Sequence, residues 1–109
     1  MKVLILGFTD YNELDVTMNK LIEDSQTFLF NIICGGLEYS ENKTIAEQWA
    51  ENNGCPIVRC YEQSLDKLLW RLRTETDYLV IRISDRTPQW QKNLMMQLKA
   101  DGKHGTVIR

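Results

Sequence analysis

Phe28-Leu29-Phe30-Asn31-Ile32-Ile33-Cys34, followed by Gly35-Gly36 and, after a polar stretch, by Thr44-Ile45-Ala46-Glu47-Gln48-Trp49, decides the fold. An apolar run that ends in two glycines and feeds an amphipathic segment reads as a buried strand leading into a helix, with close backbone approach between them. Phe28 to Cys34 is therefore the second strand of the chain. Gly35 and Gly36 form either the wall of a site or a packing pair, one glycine for a tight turn and one for helix–strand contact. Leu37 to Lys43 is polar enough for a loop, and Ser40 or Asn42 is available to cap the helix whose buried stripe is Ile45, Ala46, Trp49 and Ala50.

Toward the amino end, Val3-Leu4-Ile5-Leu6 is apolar without a break, which predicts a strand covered on both faces, closed by Gly7. Leu14, Met18, Leu21 and Ile22 then recur with helical spacing, and Asp10 or Asn12 is placed to cap that helix. Toward the carboxyl end, Asn53-Gly54 and Pro56 stop the second helix, and Ile57 to Tyr61 is the third strand. Ser64 heads a helix striped by Leu65, Leu68, Leu69 and Leu72, and Tyr78 to Ile83 is the fourth strand. Thr87-Pro88 reads as N-cap and first helical residue before Trp90, Leu94, Met95 and Leu98. Gly102 ends that helix, and Thr106 to Arg109 suits a short strand at the edge of the sheet.

Regular alternation of strand and helix predicts a three-layer α/β/α sandwich with a mostly parallel, Rossmann-like five-stranded sheet, in one domain spanning residues 1–109. Ligands of such sheets sit beyond the carboxyl ends of the strands, where the strand order reverses. The candidate ligand-binding residues are therefore Gly7, Phe8, Thr9, Asp10, Tyr11, Gly35, Gly36, Glu38, Ser40, Ser84, Asp85 and Arg86. A helix cap is the favoured role for Asp10, and a plain helix entry that for Ser84-Asp85-Arg86-Thr87-Pro88. Glu38 and Glu62 could both face the cleft, but acid–base work depends on a separation that spacing in the chain does not define. The single histidine, His104, lies beyond Gly102 with no nucleophile motif beside it, so no catalytic residue is assigned.

The charge of −2 is unevenly spread: residues 1–81 carry 7 Lys/Arg and 13 Asp/Glu, residues 82–109 carry 6 and 2. An acidic total of this kind argues against sequence-independent nucleic-acid binding. Three cysteines, Cys34, Cys55 and Cys60, lack a metal-ligand spacing and read as reduced, buried thiols; no metal and no cofactor are assigned. Four apolar residues before Gly7 are too few for a secretory core or a membrane span, which predicts a cytoplasmic protein without a membrane partner. Trp49 is expected in the core, and Trp70 and Trp90 at a partner surface. A short last strand guards its sheet edge poorly, which predicts a homodimer.

Gly7 followed by Thr9-Asp10-Tyr11 resembles the opening of small stand-alone SLOG-type Rossmann-like proteins. Ile33-Cys34-Gly35-Gly36 with Ala46-Glu47-Gln48-Trp49-Ala50 is similar to that family's double-glycine loop and the helix after it, and Gly54-Cys55-Pro56-Ile57-Val58 to its approach to strand three. The family's first-loop arginine is Thr9 here, and its glycine-rich phosphate loop after strand four is replaced by Ser84-Asp85-Arg86-Thr87-Pro88-Gln89. The resemblance carries over Gly7, Asp10, Gly35 and Gly36 as ligand contacts and implies a non-catalytic binding protein for a nucleotide or nucleotide-derived ligand. The alternative is a protein-interaction factor on a degenerate scaffold, of the kind compact phage or mobile-element proteins often are. A hydrolase of N-glycosidic or phosphate bonds ranks last, because the relatives' catalytic glutamate after strand four is missing.

Overall fold

The computed structural model describes residues 1–25, 30–37 and 44–109. Its strands are β1 (Lys2–Leu6), β2 (Asn31–Gly36), β3 (Ile57–Tyr61), β4 (Tyr78–Arg82) and β5 (His104–Ile108), separated in turn by α1 (Tyr11–Ser25), α2 (Ile45–Asn52), α3 (Leu65–Glu75) and α4 (Gln89–Ala100). The sheet is parallel throughout, in the order β3-β2-β1-β4-β5. This is the Rossmann-like sandwich that the alternation of elements predicts.

The strand order explains the unbroken apolar run of β1. The chain first winds outward from β1 to β3, then crosses back over the sheet to β4 and β5, so right-handed crossovers put α1 and α2 on one face and α3 and α4 on the other. Val3, Ile5, Ile32, Cys34 and Val80 pack toward Leu14, Met18, Trp49 and Ala50. Leu4, Leu6, Ile33, Leu79 and Ile81 pack toward Leu68, Leu72, Leu94 and Leu98. Successive residues of a strand point to opposite faces, so a strand with helices on both sides must be apolar at every position.

Several boundaries differ from the sequence expectations. β2 runs from Asn31 through both glycines, with buried Phe30 just before it, because the ladder to β3 extends to Gly36 opposite Tyr61. Phe28 and Leu29 lie outside the described residues. Asp10 caps α1, its Oδ1 accepting from the amides of Asn12 (2.8 Å) and Glu13 (3.3 Å). Thr44, rather than Ser40 or Asn42, caps α2, accepting from the Glu47 amide at 3.2 Å. Ser64 holds the N-cap position of α3 without a side-chain bond, and Leu65 remains 38% exposed.

At α4 the cap shifts by one residue. Thr87 Oγ1 already accepts from the Ser84 amide at 2.8 Å, so Pro88 takes the N-cap position and its carbonyl receives the first helical amides. β5 begins at His104 instead of Thr106 and flanks the sheet as its edge. Of the three thiols Cys34 and Cys60 are buried, whereas Cys55 is only half-buried. Trp49 is fully buried, Trp90 half-buried and Trp70 70% exposed. No described helix is long and apolar enough to cross a membrane.

Candidate functional site

Strand order reverses between β1 and β4, and beside that point the carboxyl ends of β1 and β2 border a pocket of about 180 Å³. Gly7 and Phe8 beyond β1, Cys34 and Gly35 on β2, Thr44 to Ala46 at the start of α2, and Gln91 on α4 line it. It therefore passes over the rim of the sheet from one helical layer to the other.

Both glycines are fixed by the protein itself. Gly7 has φ +82°, and a Cβ there would lie 2.2 Å from the Arg82 carbonyl oxygen, so only glycine lets the chain leave β1 so close to β4. A Cβ at Gly35 would meet Leu72 Cδ2 at 2.9 Å and the Cys60 carbonyl at 3.0 Å. Gly35 is thus the packing glycine of the pair, seating α3 on the sheet, while its other side borders the pocket.

The polar side chains of this lining come from the cap of α2 and from α4, as Thr44 and Gln91. The first amides of a helix have no intrahelical acceptor; that of Glu47 is met by Thr44 Oγ1 at 3.2 Å, and Ile45 and Ala46 belong to the pocket lining. Gln91 Oε1 is buried and has no hydrogen-bond partner among the described residues. The Cys34 thiol is pushed up from 9.0 to about 12, first by burial and then by the Glu47 carboxylate, so it stays protonated at neutral pH and offers no thiolate.

Behind the pocket lies a polar group that sequence reasoning missed. Glu47, 5% exposed, accepts from the Tyr61 hydroxyl at 2.9 Å and from Arg59 Nη2 at 3.5 Å. Burial and the bond to Glu47 hold the Tyr61 phenol above its usual range. Next to this group Trp49 Nε1 donates to Asp15 Oδ1 at 3.0 Å. Two signals in the chain could have found it: Thr44-Ile45-Ala46-Glu47 has the spacing of a capping box, and Arg59 interrupts an otherwise apolar strand. The box is half made, since the Glu47 carboxylate turns to β3.

Of the residues singled out by sequence, the pocket gathers Gly7, Phe8 and Gly35. Asp10 is spent on capping, Thr9 is exposed, and the Tyr11 hydroxyl accepts from Asn52 Nδ2 at 2.8 Å. Gly36 ends β2 and its carbonyl accepts from the Glu62 amide. Ser84, Asp85 and Arg86 form an exposed turn closed on itself, the Arg86 amide donating to Ser84 Oγ at 3.2 Å. Glu38 and Ser40 lie outside the described residues, and Glu62 pairs with Arg71 at 3.1 Å. Among the described residues no group of three or more His, Cys, Asp or Glu is placed to hold a metal ion. Neither the protein-family models nor the curated proteins contain a match to this chain.

Proposed function

We propose that the chain is a non-catalytic binding protein for a small nucleotide-derived ligand, held at the carboxyl edge of β1 and β2. The observation that carries this reading is the pocket itself, which brings the first residues of α2 and Gln91 of α4 together beyond Gly7 and Gly35. A helix N-terminus favours an anion such as a phosphate, and a carboxamide side chain favours the hydroxyl and N–H groups that a ribose or base presents. The resemblance to SLOG-type proteins leads to the same ligand class. With no glycine-rich turn after β4, phosphate contact falls here to Thr44, Ile45 and Ala46.

Thermal-shift and calorimetric screening against mononucleotides, dinucleotides, ADP-ribose and cyclic nucleotides tests the reading. A ligand at a hundred times its Kd stabilises the fold by about 2.7 kcal/mol. Gln91→Leu is expected to abolish that gain. Silence across the panel, or an unchanged gain in Gln91→Leu, overturns the assignment.

A second reading, a protein-interaction factor, draws on Trp70, which stands 70% exposed on α3 beside a shallow hollow shared with Asp66, Lys67 and Arg71. Exposed tryptophan flanked by charge is typical of a partner surface. A homodimer formed through this face would sediment as such at high micromolar concentration, and Trp70→Ala would return it to the monomer.

A further inference from the structure

The two edges of the sheet differ. At β3 the Glu62 amide bonds to Gly36 and the Pro56 carbonyl accepts from Ile32, so even-numbered residues face β2 and the backbone of Arg59 points outward. That outward carbonyl is occupied by Arg71 Nη2 at 3.2 Å, a side chain of the same protein blocking its own edge. At β5 the Ile108 carbonyl accepts from the Ile83 amide at 2.7 Å, so the backbone of Gly105 and Val107 points outward. Among the described residues no strand or side chain bonds there.

The side chains at those outward positions share a face with Leu79 and Ile81, toward α4. An open groove of about 690 Å³ lies on that side, with Met95, Met96 and Val107 in its lining and Lys99, Lys103 and Arg109 as its formally charged residues. Met96 is 67% and Val107 41% exposed. The nearby carboxylate of Asp101 is neutralised by a two-pronged contact with Arg73, both bonds 2.6 Å.

We propose that the free edge of β5 takes an extended acidic segment of another protein, which adds to the sheet as a further strand. Alternate aliphatic side chains of that segment lie over Met95, Met96 and Val107, and its carboxylates face Lys99, Lys103 and Arg109. Strand addition supplies main-chain hydrogen bonds, the groove selects every second side chain, and the cationic rim selects the charge. A second copy of this chain is the poorer occupant, because two β5 edges running antiparallel bring their cationic rims together.

The probe is a fluorescein-labelled peptide of about eight residues, long enough for one strand, that alternates glutamate with valine; a lysine–valine counterpart is the control. Anisotropy is expected to show binding of the acidic peptide only, weakening as salt rises. Bound peptide should slow exchange of the Gly105 and Val107 amides. Val107→Pro removes an outward donor without breaking the ladder to β4, and Lys99→Glu reverses part of the rim; each should weaken binding about tenfold or more. If Val107→Pro fails to fold, Lys99→Glu and the exchange measurement decide. Absence of binding at millimolar peptide, indifference to Lys99→Glu, or protection of the two amides by self-association alone overturns the proposal. The assay involves no nucleotide, so its failure is separate from that of the pocket reading.

Discussion

The two helical layers bury the two faces of one sheet with different materials. Under α3 and α4 the core is almost wholly aliphatic, built on Leu68, Leu72, Leu94 and Leu98 against strand leucines and isoleucines. Under α1 and α2 it holds an indole bonded to Asp15, and Glu47 bonded to Tyr61 and Arg59. Aliphatic packing tolerates exchange of like for like, whereas a buried polar atom must keep its particular partner. The aliphatic layer is mainly scaffold, and the layer under α1 and α2 is specified atom by atom.

Large truncations test the shared part of this comparison. Trp49→Ala should cost about 3–5 kcal/mol and Leu72→Ala about 2–5 kcal/mol, measured by urea unfolding. The layers then diverge with Glu47→Ala, which removes the acceptor of the Tyr61 hydroxyl and the counter-charge of Arg59. A loss of about 1–3 kcal/mol is expected, and a neutral result would break the contrast.

Alkaline pH gives a smaller effect. The folded state holds the Cys34 thiol protonated while the unfolded chain ionises near 9.0, so its contribution is intact below pH 9 and falls as pH rises toward about 12. Tyr61, also shifted upward, adds to the fall above its ordinary value of 10.0. Stability measured across this range should decline, with a shallower slope in Cys34→Ala. The smallest effect lies at the exception in the aliphatic layer: Thr76, the fully buried C-cap of α3, has an Oγ1 with no hydrogen-bond partner among the described residues. Thr76→Val should stabilise the fold by about 1 kcal/mol or less.

The fold was legible because Val3 to Leu6 is apolar at every position, which only a strand between two layers requires. The glycine pair was legible as glycine, but the reason for Gly35 lies on Leu72 and Cys60, far along the chain, and that for Gly7 on Arg82. Thr87 is a good N-cap by type, yet its hydroxyl was taken by Ser84, a competition between neighbours that composition does not rank. Gln91 and Glu47 were missed because a polar residue on an amphipathic helix looks the same whether it faces solvent or a pocket. The extent of β2 was misjudged for a related reason: glycine is a poor strand former on its own, and the ladder to Tyr61 overrides that preference.

The central place of β1 bears on how the chain is made. Lys2 and Asp77, joined through the Lys2 amide, stand 75 positions apart. At 5–20 residues per second a ribosome needs about 4 to 15 s to span that interval. Throughout it, one long side of the most apolar strand has no neighbour and is open to other nascent chains. Any factor that shields short hydrophobic stretches during synthesis is expected to raise the yield of folded protein in rapid expression.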